Sequence, residues 1–221
     1  MKPLVILVAA LSLACGAAQA AERSVGVTVD GQTIQVPLPE GYCAPTGAYV
    51  ERARTVAALD EANETLLTLY DCATMAAGGV DMPRYAHLKF PRSARGQTLT
   101  MDQVRDAFPD APSDFARLLN EAVDEKALGK EFSDLSRADV KVEVGGLRPV
   151  GEDATGVYLA GVMTLQVNGA TRPLAAAVGV SSVKGKLVSF NAYAQGGTVQ
   201  DLATQLALVR SAVTALGAAN R

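Results

Sequence analysis

Cys43 and His87 are the first residues to weigh, because a thiol beside an imidazole is the smallest nucleophilic arrangement open to a chain with one histidine. The dyad needs Cys43 as a free thiolate of low pKa, and a disulfide to Cys72 would consume it. A single histidine also removes most nucleophilic triads and most zinc sites. Ser181-Ser182-Val183-Lys184 has the S-x-x-K spacing of penicillin-interacting enzymes. It falls at the end of a strand pattern, however, and the Ser-Asp-Asn and Lys-Thr-Gly partners are missing. The carboxylates Asp60 with Glu64, and Asp102 with Asp106, stand at helical spacing on solvent faces. A glycosidase needs two carboxylates converging across a cleft, and a chain with 5% aromatic residues has little to stack on sugar. Gly145-Gly146 lacks a phosphate-binding continuation and reads as a bend or bulge. No Asp-x-Asp-x-Asp-Gly calcium loop occurs. No catalytic residue, cofactor or metal is expected.

One charge bias is left over. Arg84, His87, Lys89, Arg92 and Arg95 follow one another with no acidic residue between them, in a chain of net charge −3. Such a run can seat an anionic ligand or a lipid head group, or it can be a solvated edge strand guarded by positive charge. The acidic balance of the whole argues against a nucleic-acid partner.

The start of the chain bears on every thiol hypothesis. Met1-Lys2, the apolar run Leu4 to Leu13 and the small-x-small triplet Ala18-Gln19-Ala20 predict a cleavable signal peptide over residues 1–20, and with it a periplasmic protein whose mature part, 21–221, is one domain. The apolar run is about ten residues against the roughly 20 that a membrane-crossing helix needs, and no later segment is expected to be long enough. Ser12-Leu13-Ala14-Cys15 offers an alternative, acylation of Cys15 as a lipoprotein. Cleavage after Ala20 removes Lys2 and Cys15, taking the net charge from −3 to −4 and leaving Cys43 and Cys72. An even pair in an oxidising compartment favours a disulfide, with two separately buried thiols as the alternative.

The elements that position these residues follow from periodicity. Ser24 to Val29 and Gln32 to Val36 are β-branched runs around Asp30-Gly31, a type I′ hairpin signal. A helix is expected from Thr46 to about Asn63, then a strand from Thr65 that ends on Cys72. Tyr85 to Phe90 alternates, which points Ala86, Leu88 and Phe90 inward and Tyr85, His87 and Lys89 outward to water. Thr100 and Gln103 form a capping box for a short helix that Pro109 stops, and a second helix is expected from Ser113 to Gly129, with Phe115, Leu118, Leu119, Ala122 and Val123 on its apolar face. Val140 to Val144 reads as a strand. Val157 to Val167 and Ala170 to Ser182 flank Asn168-Gly169, a register that sets Leu165 against Arg172, Met163 against Leu174 and Leu159 against Val178. The opposite side, Tyr158, Ala160 and Val162 with Ala175, Ala177 and Gly179, is small enough for a helix to approach closely. A strand from Leu187 to Tyr193 follows. Thr198 and Asp201 then cap a final helix in which Val199, Leu202, Leu206, Val209, Val213 and Leu216 form a stripe for the sheet and Gly217 ends the run.

An N-terminal hairpin, the exit Val36-Pro37-Leu38-Pro39-Glu40-Gly41-Tyr42, a helix, strands, a long antiparallel sheet and a closing amphipathic helix make an order that resembles the Mog1/PsbP-like α/β/α sandwich. The Leu-Pro-x-Gly-Tyr-Cys segment also looks like small exported proteins of Gram-negative bacteria. The fold class expected is α+β, a largely antiparallel sheet packed by helices. The resemblance implies a protein-binding or assembly accessory, here of the cell envelope with another envelope protein as partner, and it implies no catalytic residues. Two other classes stand beside it: a small envelope hydrolase using Cys43 or a carboxylate pair, and a carrier of a small apolar ligand.

Overall fold

The computed structural model describes residues 23–79, 81–108, 140–143 and 146–221. The leader expected over residues 1–20, with Cys15, the helix expected from Ser113 to Gly129, and Gly145 lie outside them.

Strands β1 (Ser24–Val29) and β2 (Gln32–Pro37) form the expected hairpin. Asp30 and Gly31 take φ of 46° and 77°, as a type I′ turn requires. Eight further strands make one antiparallel sheet: β3 (Tyr42–Cys43), β4 (Asn63–Asp71), β5 (Arg84–Pro91), β6 (Val140–Glu143), β7 (Arg148–Glu152), β8 (Val157–Val167), β9 (Ala170–Val183) and β10 (Lys186–Gln195). Their spatial order is β3-β4-β5-β10-β9-β8-β6, with β7 also on β8. The described helices are α1 (Ala48–Ala58), α2 (Cys72–Ala76), α3 (Met101–Asp106) and α4 (Val199–Ala219). The fold is α+β, an antiparallel sheet with helices packed on it.

The β8–β9 register is the one that the Asn168-Gly169 turn dictates, Leu165 opposite Arg172 and Leu159 opposite Val178. One face of the sheet carries the main core. Leu69, Leu88, Phe90, Phe190 and Tyr158 are buried there beneath Ile34 and Val36 of the hairpin and Val209, Val213 and Leu216 of α4. Each such side chain contributes about 1.5–3 kcal/mol when fully buried. Close approach of α4 depends on Gly179, where a Cβ would stand 2.7 Å from both Val209 Cγ1 and Val213 Cγ2. The hairpin and helix are also clamped together: Gln35 N donates to Asn220 Oδ1 at 2.8 Å and Asn220 Nδ2 donates to the Gln35 carbonyl at 2.7 Å.

Several boundaries differ from expectation. Helix α1 stops at Ala58, because Asp60 Oδ1 accepts the Asn63 amide at 2.9 Å and turns the chain into β4. Strand β4 ends at Asp71, not on Cys72, since the Asp71 carboxylate caps α2 by accepting Thr74 N at 2.8 Å. Strand β7, unforeseen, is exposed at every position and broken by a register shift between Pro149 and Gly151. Gly161 makes room for the Gly146 carbonyl where the chain enters it. Helix α4 passes Gly217 and is capped at Asn220, and Val199, 84% exposed, lies off its buried stripe. With 21 residues and a mean hydropathy of 1.3, α4 is long and apolar enough by length and composition to cross a membrane, contrary to the expectation that no later segment is. In this structure its buried stripe lies on the sheet.

Candidate functional site

Strand register gathers most of the chemistry-bearing side chains into rows across β4, β5 and β10. Tyr70, Tyr85 and Tyr193 form one row; Thr68, His87 and Asn191 the next; Thr65, Lys89 and Ser189 a third. Because Ala86, Leu88 and Phe90 point into the main core, these rows occupy the opposite face of the sheet. On β9 the rows continue as Ala176, Val178 and Val180, so this face is polar and aromatic on one half and apolar on the other.

The middle row is dry. Thr68 and His87 are each 5% exposed and Asn191 is 6% exposed. His87 Nδ1 lies 3.2 Å from Thr68 Oγ1, and the imidazole meets the rings of Tyr85 and Tyr193 edge-on at 5.4 and 6.1 Å. The two tyrosines stack at 4.9 Å. Burial holds the His87 pKa down at about 3, with the Lys89 cation adding to the effect and the Asp60 carboxylate opposing it. The expectation that His87 faces water is therefore corrected. Alternation separates the two faces of a strand, but it does not say that either of them is wet.

Lys89 Nζ donates to Asp60 Oδ2 at 2.5 Å, with both side chains 19% exposed. Burial alone would lower the lysine pKa and raise that of the carboxyl. Tyr193 and Asp60 together outweigh burial at Lys89, and Lys89 with Asn63 outweighs it at Asp60, so Lys89 is raised and Asp60 lowered.

The other cations of the basic run are also placed by carboxylates. Arg84 Nε reaches Asp71 Oδ2 at 2.6 Å while its guanidinium lies over the Tyr42 ring at 5.1 Å. The Thr74 amide and Arg84 together hold the Asp71 carboxyl below its usual range. Arg95 Nη2 reaches Glu64 Oε2 at 2.7 Å, and Arg92 is exposed on the 3-10 turn after β5. Arg84, Lys89 and Arg95 thus each have a carboxylate beside them. The five residues do not converge on a common seat.

At the sheet edge Cys43 and Cys72 form a disulfide with Cα atoms 5.2 Å apart. With Cys43 Sγ bonded, the dyad with His87 is not formed. A surface cleft of about 410 Å³ opens beside the bond, lined by both cysteines with Leu38, Ala44, Met75 and Ala76. Arg23 Nη1 points at Cys43 Sγ from 3.9 Å. The carboxylate pairs do not converge: Asp60 serves Lys89, Glu64 serves Arg95, and Asp102 pairs with Arg105 at 2.5 Å. The S-x-x-K residues are spent on backbone: Ser181 Oγ donates to Thr155 O at 2.6 Å, Ser182 Oγ to Leu99 O at 2.5 Å and Lys184 Nζ to Thr33 O at 3.0 Å. Among the described residues no three His, Cys, Asp or Glu side chains group as metal ligands.

Asn191, Tyr193 and Thr68 were not singled out by sequence. Each sits in an alternating run, but what joins them to His87 is strand pairing, of β4 with β5 for Thr68 and of β5 with β10, a hundred residues on, for Asn191 and Tyr193, and no local signal announces those pairings.

No family model and no curated protein matches the sequence. Among solved structures, the chain is similar to the solution structure of cyanobacterial PsbP (CyanoP) from Synechocystis sp. PCC 6803. The two share 15% identity with a TM-score of 0.43, over 90% of this chain and 95% of that one. The likeness is one of fold, and a weak one.

Proposed function

We propose that the chain is an exported, non-enzymatic binding or assembly accessory of a bacterial cell envelope. One observation carries the reading: the side chains best suited to chemistry are committed to holding the fold. Cys43 is bonded to Cys72, Asp60 to Lys89, Glu64 to Arg95 and Asp71 to Arg84, while His87 is buried and neutral. The disulfide suits an oxidising compartment, and the leader-like residues 1–20 supply a route to one. A hydrolase acting through Cys43 would need that bond absent.

The test is expression of the full chain in a Gram-negative host. The mature protein is expected in the osmotic-shock fraction, with an intact mass starting at Ala21 and two fewer hydrogens than the dithiol. Cross-linking in the envelope followed by capture should then yield a stoichiometric protein partner. Cytoplasmic retention with two alkylatable thiols would overturn the export reading, and turnover of ester or peptide substrates lost on Cys43→Ser would overturn the non-enzymatic one.

A further inference from the structure

The hydrogen-bonded ladder at the disulfide is short. Strand β3 pairs with β4 at only two positions, Tyr42 with Asp71 and Cys43 with Tyr70, and one further hydrogen bond runs from Cys72 N to the Gly41 carbonyl at 2.9 Å. Both cysteines are half-buried and line the cleft beside them, which is open to solvent. The two sulfurs are not equivalent. The Arg23 guanidinium is directed at Cys43 Sγ, and an adjacent cation stabilises a departing thiolate.

We propose that Cys43–Cys72 is an exchangeable disulfide, attacked in the native fold at Cys72 Sγ by an external dithiol entering through the cleft, with Cys43 leaving as a thiolate beside Arg23. The attacking thiolate forms a bond to Cys72 Sγ as the Cys43–Cys72 bond breaks, and the electron pair of that bond goes to Cys43. The second thiol of the reagent, deprotonated, then attacks its own sulfur in the mixed disulfide and releases Cys72 as a thiolate. Two electrons pass from dithiol to protein, the reagent leaves as its cyclic disulfide, and the two protons it has lost match those the cysteine thiolates take up. Reduction opens the cross-link at the sheet edge while Tyr42, buried in the main core, keeps β3 in place. The inference concerns reactivity of the folded chain and holds whether or not the chain is exported.

The experiment uses the full folded protein with dithiothreitol in the absence of denaturant, quenched with iodoacetamide. The reduction rate is expected to rise linearly with dithiothreitol concentration. With reduced glutathione the first adduct should carry glutathione on Cys72 and the alkyl group on Cys43. Arg23→Gln should slow native reduction by about threefold to tenfold and Arg23→Lys should restore most of it, while all three proteins react equally in strong denaturant. A rate that plateaus at the unfolding rate, glutathione found first on Cys43, or equal native rates for the wild type and Arg23→Gln would each overturn the proposal.

Discussion

Thr68 Oγ1 and His87 Nδ1 face each other at 3.2 Å between neighbouring strands, at the centre of a buried row that Asn191 completes. The row accommodates a neutral imidazole. The folded-state pKa of about 3 lies below the usual 6.5, so the unfolded chain takes up a proton at pH values where the folded chain does not. The stability that His87 contributes is present above pH 6.5 and is lost as the pH falls towards 3, by on the order of 5 kcal/mol in all. Urea midpoints measured from pH 7 to pH 3 should show this slope, and His87→Gln should remove it. A wild-type midpoint that stays flat between pH 6 and 4 would refute the assignment.

The Asp60–Lys89 pair is mostly buried, so removing one partner strands the other. Asp60→Asn or Lys89→Met should each cost about 2–4 kcal/mol, and the double variant less than the sum. The lowered Asp60 contributes stability that is lost as pH falls below its usual 3.8, and the raised Lys89 contributes stability lost above its usual 10.5. A double-mutant cycle by chemical denaturation measures the coupling, and additivity within error would refute it.

Gly179 and Gly217 should respond oppositely to alanine. At Gly179 the new methyl meets two valine methyls of α4, and a loss of about 1–3 kcal/mol is expected. At Gly217, inside α4, a Cβ meets nothing within 4 Å, so the helix should gain about 0.5–1 kcal/mol. Equal effects at the two positions would contradict the docking of α4 on β9.

Tyr42 carries a buried hydroxyl with no hydrogen-bond partner among the described residues. Burial, opposed by the Arg84 cation and assisted by the Asp71 carboxylate, pushes its pKa up to about 12. Tyr42→Phe removes a desolvated polar group and keeps the ring under the Arg84 guanidinium. Stability should be unchanged or rise by about 1 kcal/mol. A clear loss on thermal melting would show that the hydroxyl has a partner.

Replacing Cys43 and Cys72 together by serine should lower stability by about 3.5 kcal/mol in the chain-entropy model for a loop of this length. The α1 amides should then exchange faster than those of β9. Uniform loss of protection would place the bond in the main core instead of at the edge.

Turn chemistry and helix caps were legible because they are written in adjacent residues. Asp30-Gly31, Asn168-Gly169, Thr100 with Gln103 and Thr198 with Asp201 all form as read. So does the small-residue face that admits α4. The candidate site was legible only in its members, Cys43, Cys72 and the run from Arg84 to Arg95. The basic run drew attention as unpaired charge, but Asp60, Asp71 and Glu64 answer it from 13 to 31 positions away. Those distances close only through the β4–β5 register, whose bulge between Thr65 and Leu67 no periodicity reveals. Cys72 escaped its strand for a local reason, since a capping aspartate immediately before it competes with the ladder.

The clamp between Gln35 and Asn220 spans 185 positions. It ties the hairpin to the end of α4, and the core beneath both closes only when segments that far apart in the chain have met. Contacts of such separation slow folding. Until then the apolar side of the sheet lacks the part of its cover that Val209, Val213 and Leu216 supply. The final helix is thus the latch of the fold, and it engages across the longest hydrogen-bonded span among the described residues.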